Sequence, residues 1–155
     1  DDEHSGESLG LSDAERDLLV RNGDSAGLEV LYTWRINEHH ILVPAVEVGT
    51  YDAEGAACSR DGAGAQVSHM YIQGRLRLVS NLSLRQTSFD EKNPVFDKKQ
   101  DESELVASLT GIYAQFFGVP NLSSMASLLY ARRDSQITFY DSDASVASLG
   151  LLYTF

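Results

Sequence analysis

A period-two alternation of apolar and polar residues runs from Ser25 to the end of the chain. Alternation of this kind is typical of β-strands that have one apolar and one polar face. Seven segments show it, separated by turn-forming residues. The predicted strands are residues 25–37, 39–51, 65–79, 81–90, 103–117, 121–133 and 143–155. The sequence therefore predicts an all-β domain over residues 25–155.

Residues 1–24 lack the alternation and are polar and acidic. Their one helix signal is the segment Ser12-Asp13-Ala14-Glu15, which has the spacing of a capping box before Leu18, Leu19 and Val20. We expect a loop with up to two helical turns there. The chain thus divides into a polar segment, 1–24, and a strand region, 25–155.

The connections between the predicted strands alternate in length. Short ones fall at 37–40, 79–81 and 118–121, and long ones at 52–64, 89–102 and 133–142. Because alternate connections lie at opposite ends of an up-and-down sheet, the short turns share one end and the long loops the other. The predicted fold is an antiparallel up-and-down sheet.

The apolar face of such a sheet has two possible environments. A soluble barrel or sandwich turns it inward to a core, whereas a membrane barrel turns it outward to lipid around a polar lumen. Predicted strands of about 11–14 residues match the roughly 9–11 tilted residues that cross hydrocarbon and exceed the usual soluble strand of about 5–6. The strands also contain no Lys. These features favour a transmembrane β-barrel; the alternative is a soluble β-barrel that binds a small apolar ligand.

Charged residues on the polar face are candidates for lining a lumen. They are Glu29, Arg35, Glu47, Arg75, Arg77, Arg85 and Glu104. A turn centred on Ser80 would place Arg75 opposite Arg85, and like charges so placed need carboxylates or a bound anion to compensate them. Two interpretations stay open: an internal ion-pair network that closes the lumen, or a constriction that selects anionic solutes.

Aromatic residues gather near the ends of the predicted strands. The candidates for membrane-interface girdles are Trp34, Tyr113, Phe117, Tyr130, Tyr153 and Phe155. Aromatic rings at both interfaces are typical of membrane barrels. The alternative explanation is that these aromatic residues pack in an ordinary protein core.

Composition narrows the possible partners. The 155 residues include 12 Lys and Arg against 23 Asp and Glu, for a formal net charge of −11. This charge argues against a nucleic acid or an anionic lipid surface as partner, because both would be repelled. The sequence contains no run of 18 apolar residues, so it predicts no transmembrane helix. The single cysteine, Cys58, permits no internal disulfide.

Signals for catalysis and metal binding are weak. Ser68 and His69 are adjacent on a predicted strand, so their side chains point to opposite faces and cannot form a nucleophile and base pair. His39 and His40 fall in a predicted turn and are expected to be solvated. A long loop carries Asp134, Asp141 and Asp143, for which solvation is favoured over a calcium site. We expect neither an enzyme nor a bound metal or cofactor.

The carboxyl-terminal segment Leu149-Gly150-Leu151-Leu152-Tyr153-Thr154-Phe155 resembles the last strand of bacterial outer-membrane β-barrel proteins, which end in Phe with Tyr two places earlier. The resemblance implies an outer-membrane location and a lipid environment. It also implies that Tyr153 and Phe155 form the signal read by the barrel assembly machinery. Upstream, residues 130–142 are similar to the last outer loop of porin-like barrels, including those of the surface lipoprotein assembly modifier type.

The resemblance also implies an orientation. In such barrels the last strand ends in the periplasm, the short turns are periplasmic and the long loops are extracellular. Residues 1–24 would then be extracellular, and a strand leading up to them is missing. Bacterial single-chain barrels have an even number of strands, whereas seven is odd. We therefore expect the carboxyl-terminal part of a larger porin-like channel or transport element, with the missing strands supplied by more chain or by an oligomeric partner.

Overall fold

A computed structural model describes residues 12–154. Eight strands and one short helix account for most of this range. They are α1 (Asp13–Asp17), β1 (Gly23–Leu31), β2 (Trp34–Arg35), β3 (His40–Ala53), β4 (Arg60–Gln73), β5 (Leu76–Phe89), β6 (Glu102–Ala114), β7 (Leu122–Ser135) and β8 (Ser142–Tyr153). Single 3₁₀ turns lie at Phe116–Gly118 and Thr138–Tyr140. Within the described range, no helix has the length and hydrophobicity needed to cross a membrane.

All eight strands belong to one antiparallel sheet in the order β1-β3-β4-β5-β6-β7-β8, and β2 pairs with β3 beyond the end of β1. Each long strand therefore lies beside its neighbour in sequence, which confirms the predicted all-β, up-and-down architecture. Between residues 12 and 154 nothing pairs with the outer edge of β1 or of β8, so the sheet is open and does not close into a barrel.

The first predicted strand is divided into β1 and β2 because of Pro44. Pro44 lies opposite Tyr32, whose N–H donates to the Pro44 carbonyl over 3.1 Å. Proline has no N–H to return that bond, so the ladder is interrupted at this pair. It resumes in the same register at Trp34, opposite Leu42. One missing donor thus explains eight strands in place of seven.

The turn predicted at Ser80 is wrong. Ser80 lies inside β5, and the chain reverses at Gly74 and Arg75, between the paired residues Gln73 and Leu76. Gly74 has a φ of +57°, a conformation that a two-residue hairpin requires and that glycine adopts without a steric penalty. Unbroken alternation through the predicted strand 65–79 would place Met70 and Leu76 on one face, but the hairpin places them on opposite faces.

The connection between β6 and β7 is longer than predicted. Strand β6 ends at Ala114, and residues 115–121 form the turn, in which Gln115, Phe117 and Asn121 adopt positive φ values of 53°, 53° and 64°. A bulky residue such as Phe is uncommon in this region. Phe117 therefore lies in a turn, 86% exposed, and not at the end of a strand.

Little of the sheet is buried. In the described range the buried hydrophobic residues are Ala45, Ala53, Ala57, Phe89 and Ile137, and no large side chain is completely buried. The accessible surface is 11073 Å², whereas a compact monomer of this size exposes about 7,700 Å². Residues 12–154 thus provide no second layer for the apolar side chains of the strands to pack against.

The long-loop end holds the one compact region. Backbone bonds join residues 18–22 to the loop between β3 and β4, for example from Gly55 N–H to the Val20 carbonyl, 3.1 Å, and from Ala57 N–H to the Leu18 carbonyl, 3.2 Å. The predicted capping box is present, since the N–H and hydroxyl of Ser12 both donate to Glu15. These bonds lower the pKa of Glu15. Helix α1 is five residues long, just over one turn.

Candidate functional site: a charged row across the polar face

Strand register assigns every paired residue to one of two faces. The polar face carries Glu29, Glu47, Arg85 and Glu104, and the apolar face carries the residues next to them in sequence, such as Leu28, Val46 and Leu84. Because side chains alternate along a strand, this division follows from pairing alone. The two faces have different chemistry.

A row of charged residues crosses the polar face from one edge of the sheet to the other. Its members are paired in register across all seven long strands. They are Glu29, Glu47, Gly64, Arg85, Glu104, Arg133 and Ser142. We call this set the charged row. Three carboxylates, two guanidinium groups, a glycine and a serine thus lie at one level of the sheet.

The ion pair between Glu47 and Arg85 spans three strands. The two residues belong to β3 and β5, whose backbones are separated by β4 and so lie about 10 Å apart. Arg85 Nη2 and Nε lie 2.8 and 3.0 Å from Glu47 Oε1. The residue between them in the row is Gly64, and a Cβ there would lie only 2.6 Å from Glu47 Oε1 and 2.9 Å from its Cγ. The missing side chain of Gly64 leaves the space through which Glu47 reaches Arg85.

A second group of contacts continues the row toward β8. Arg133 Nη2 lies 3.3 Å from Glu104 Oε2, and Arg133 Nε lies 3.8 Å from Glu102 Oε2. Glu104 also stands directly opposite Arg85. Glu104 therefore lies between the two guanidinium groups, and charges alternate in sign from Glu47 to Arg133.

The end of the row at β1 has an unbalanced charge. Glu29 stands directly opposite Glu47, an arrangement of like charges that is unfavourable in a sheet. Glu47 is compensated by Arg85. Glu29 accepts a hydrogen bond from the neutral Gln66 amide, Nε2 to Oε1 3.0 Å. Among the described residues no cation forms an ion pair with Glu29.

The predicted set of charged residues is only partly assembled. Arg35 and Arg77 are on the polar face but near the short turns, opposite Ile41 and Ile72 respectively. Arg75 belongs to the turn and not to a strand, so the predicted pairing of Arg75 with Arg85 is wrong. The misplaced turn caused this error. Arg133, Glu102 and Gly64 are not among the predicted residues. Arg133 falls on the polar face when the alternation set by Leu128 and Tyr130 is continued, so the pattern could have indicated it.

The apolar face is widely exposed. Leu28, Val46 and Leu128 are more than half exposed, and Leu149 and Leu151 at the β8 edge are 88% and 67% exposed. An exposed apolar surface of this extent on a sheet is unusual for a soluble monomer. It requires a covering that the described residues do not provide.

Aromatic side chains mark the short-turn end of the apolar face. Trp34, Tyr71, Tyr113 and Tyr153 lie there, on β2, β4, β6 and β8. Unbroken alternation through the predicted strand 65–79 would place Tyr71 on the face opposite Leu78, but the hairpin at Gly74 places both on the apolar face. Of the other predicted girdle residues, Tyr130 is on the apolar face nearer the long loops, Phe117 is in a turn, and Phe155 lies outside the described residues.

Two histidines meet beside this aromatic group. His40 Nδ1 and His69 Nε2 are 2.9 Å apart, and the His40 ring lies 4.7 Å from that of Tyr71. The expectation that His40 is solvated in a turn is wrong, since it begins β3 and is half-buried. Ser68 and His69 do lie on opposite faces, as predicted. The pair joins β3 to β4 beside these aromatic residues.

Carboxylates of the long loops have structural partners. The Asp141 carboxylate accepts a bond from Ser135 N–H, 2.6 Å, and Asp134 pairs with Arg132, Oδ1 to Nη2 2.8 Å. Over residues 12–154, His, Cys, Asp and Glu side chains form no group of three or more suited to a metal ion. Cys58 is a half-buried free thiol.

Comparison with known proteins adds a family assignment. No curated protein and no solved structure matches the chain. One family model matches it over residues 1–154. The chain therefore belongs to the family described as "Protein of unknown function (DUF2860)".

Proposed function

We propose that this protein forms part of the wall of a bacterial outer-membrane β-barrel, in which the apolar face contacts lipid and the charged row faces a water-filled lumen. The barrel serves as a porin-like channel or transport element. The observation that carries the proposal is the separation of the two faces: leucines and valines are exposed on one, while the ion pairs of the charged row lie on the other.

Strand length supports the proposal. Strands β3, β4, β5 and β7 each contain 14 residues, which exceeds the roughly 9–11 needed to cross the hydrocarbon core. A charged network on the opposite face suits the polar interior of a membrane barrel. The open edges are also consistent with this function, since a wall of seven long strands needs more strands to close.

The aromatic residues at the short-turn end give independent support. Trp34, Tyr71, Tyr113 and Tyr153 share the apolar face toward the short-turn end, each two residues nearer that end than the one before it. Tyr and Trp favour the interface between lipid and water, where the ring is in an apolar environment and the polar group remains hydrated. The short-turn end of the apolar face would lie at the periplasmic interface, because the short turns of outer-membrane barrels are periplasmic.

Site-directed spin labelling tests the orientation of the sheet. Leu82 and Ser83 are neighbours at the centre of β5 and lie on opposite faces. In a Cys58→Ser background, Leu82→Cys and Ser83→Cys would each be labelled in protein extracted from membranes and returned to lipid vesicles. We expect the label at Leu82 to be relaxed by oxygen, which concentrates in lipid, and the label at Ser83 by a water-soluble nickel chelate.

Two results would contradict the proposal. If the protein is recovered as a stable monomer without detergent and the Leu82 label is inaccessible to both reagents, the apolar face is covered by protein, as in a soluble ligand-binding barrel. If the Ser83 label is relaxed by oxygen and not by nickel, the faces are reversed.

The terminal segment supports delivery by the barrel assembly machinery. Tyr153 is half exposed at the end of β8, and the family resemblance of this segment implies a recognition role. We expect Tyr153→Ala combined with removal of Phe155 to reduce the amount of protein in the outer membrane severalfold, as measured by fractionation. Leu122→Ala, a change at the residue opposite Tyr153, is the matched control. Equal amounts for both variants would exclude the signal.

A further inference from the structure

The two free edges of the sheet run in the same direction. Strand β1 follows helix α1 at the long-loop end and leads to the short turn before β3, and β8 runs from the long loop after β7 to the short-turn end. Seven long strands separate the two edges, and consecutive long strands alternate in direction. Direct contact between β1 and β8 would therefore be parallel. An antiparallel barrel closes only when an odd number of further strands lies between these edges.

A second copy of the chain does not meet this requirement. Copies inserted in a membrane share one orientation, so β8 of one copy and β1 of the next would also run in parallel. The occupant of the β1 edge must run from the short-turn end to the long-loop end, opposite to β1.

The charges beside β1 indicate which side chain the neighbouring strand would carry. Glu29 is on β1, in the charged row, opposite the carboxylate of Glu47 and bonded only to a neutral amide within the described residues. A cation on the next strand at this level would give Glu29 the kind of partner that Arg85 gives to Glu47. It would also continue the alternation of charge that the row shows from Glu47 to Arg133.

We infer that β1 is covered by an antiparallel strand that carries Lys or Arg in direct register with Glu29, and that this strand lies outside the 155 residues. The inference rests on the proposed barrel. Residues 1–11 contain no Lys or Arg, and the arginines at 16 and 21 precede β1 in or near α1. The strand therefore belongs to a further segment of polypeptide.

Photocrosslinking identifies the strand and its direction. Gly27 and Leu31 bracket Glu29 on the polar face, and a Cβ at Gly27 meets only ordinary contacts, the nearest at 3.4 Å. p-Benzoylphenylalanine would replace Leu31 in one variant and Gly27 in another, in the complete natural chain in native membranes, with captured peptides identified by mass spectrometry. We expect both probes to capture one peptide outside this sequence. Because the strand is antiparallel, Leu31 should capture the lower-numbered residue, and a Lys or Arg should stand between the two captured positions.

The matched control is the same probe in place of Ser83. Ser83 is aligned with Leu31 across the paired strands but lies on the central strand β5. It should capture β4 or β6. Capture of β8 by the β1 probes, capture in parallel order, a strand with no basic residue at the expected position, or no capture would each overturn the inference. Protein that is captured as expected but recovered without membranes would overturn the proposed barrel and leave the strand assignment standing, so the two failures are distinguishable.

Discussion

The two faces of this sheet share one backbone but are stabilised differently. On the polar face, Glu47 forms an ion pair with Arg85, and Glu104 forms one with Arg133. On the apolar face, side chains such as Leu149 meet few partners and remain exposed. Four of the five charges of the row are thus paired within the chain, Glu29 being the exception, whereas the apolar face depends on its surroundings. The difference teaches that a sheet can specify its own strand pairing and still need its apolar face to be covered by something outside the sheet.

Small residues on the polar face make the local network possible. Gly64 lies beneath the Glu47–Arg85 contact, and Ala45, opposite Gln66 and beside the Glu29–Gln66 bond, is 5% exposed. Long charged side chains can cross a strand only where that strand contributes little volume. The contacts of the charged row therefore depend on residues that carry no charge.

The largest expected effect is at the centre of the apolar face. Leu82→Arg should destabilise the protein by about 2–4 kcal/mol in lipid, the cost of a cation on the lipid face of a barrel at the bilayer midplane. Urea unfolding in lipid vesicles measures this free energy. The control Ser83→Arg adds the same group on the polar face and should cost less than about 1 kcal/mol, the range of ordinary surface changes. Equal costs would remove the distinction between the faces.

A smaller effect should come from the glycine in the charged row. Gly64→Ala places a Cβ against Glu47, whereas Gly62→Ala, on the same face of the same strand, finds its nearest neighbour at 3.6 Å. Both changes remove the same backbone entropy cost of a glycine in a strand. We expect Gly64→Ala to be less stable than Gly62→Ala by about 1 kcal/mol, the upper value for a partly exposed ion pair. Equal midpoints in urea would show that Glu47 reaches Arg85 without that space.

The smallest expected effect concerns a single carboxylate. Glu104→Gln removes the charge between Arg85 and Arg133 and should cost about 0.5 kcal/mol or less, because these side chains remain partly hydrated. The loss should shrink at high salt, since salt screens exposed pairs. Glu91→Gln, the same change in the long loop between β5 and β6, is the control. A loss that does not vary between 50 mM and 1 M salt would mean that Glu104 acts by packing and not by charge.

Sequence alternation was a reliable guide where a strand had one clear polar face. It placed Glu29, Glu47 and Arg85 together on one face, and register agrees. It failed between residues 65 and 80, because Met70 and Ile72 are apolar residues on the polar face. Their period continued through the hairpin, which concealed the reversal of faces at Gly74. A glycine within an alternating run was the available signal for a turn.

Contacts across the charged row were beyond the sequence pattern. Glu47 and Arg85 are 38 residues apart, and their meeting depends on the register of two successive hairpins and on the absence of a side chain at Gly64. A shift of one residue in either hairpin would turn one partner to the other face. Alternation predicts which residues share a face, but only the strand register determines which of them are neighbours.

The sequence by itself determined the strands, the up-and-down order and the chemistry of each face, because these follow from local alternation and from adjacent connections. Tertiary structure decided the turn at Gly74, the division of the first strand at Pro44 and the ion pair across Gly64. The last two depend on a residue supplied by a neighbouring strand, and such a partner is specified by the geometry of pairing and not by the order of residues along one strand. The turn depends on Gly74 itself, and it was concealed because apolar residues continue at the same spacing through the hairpin.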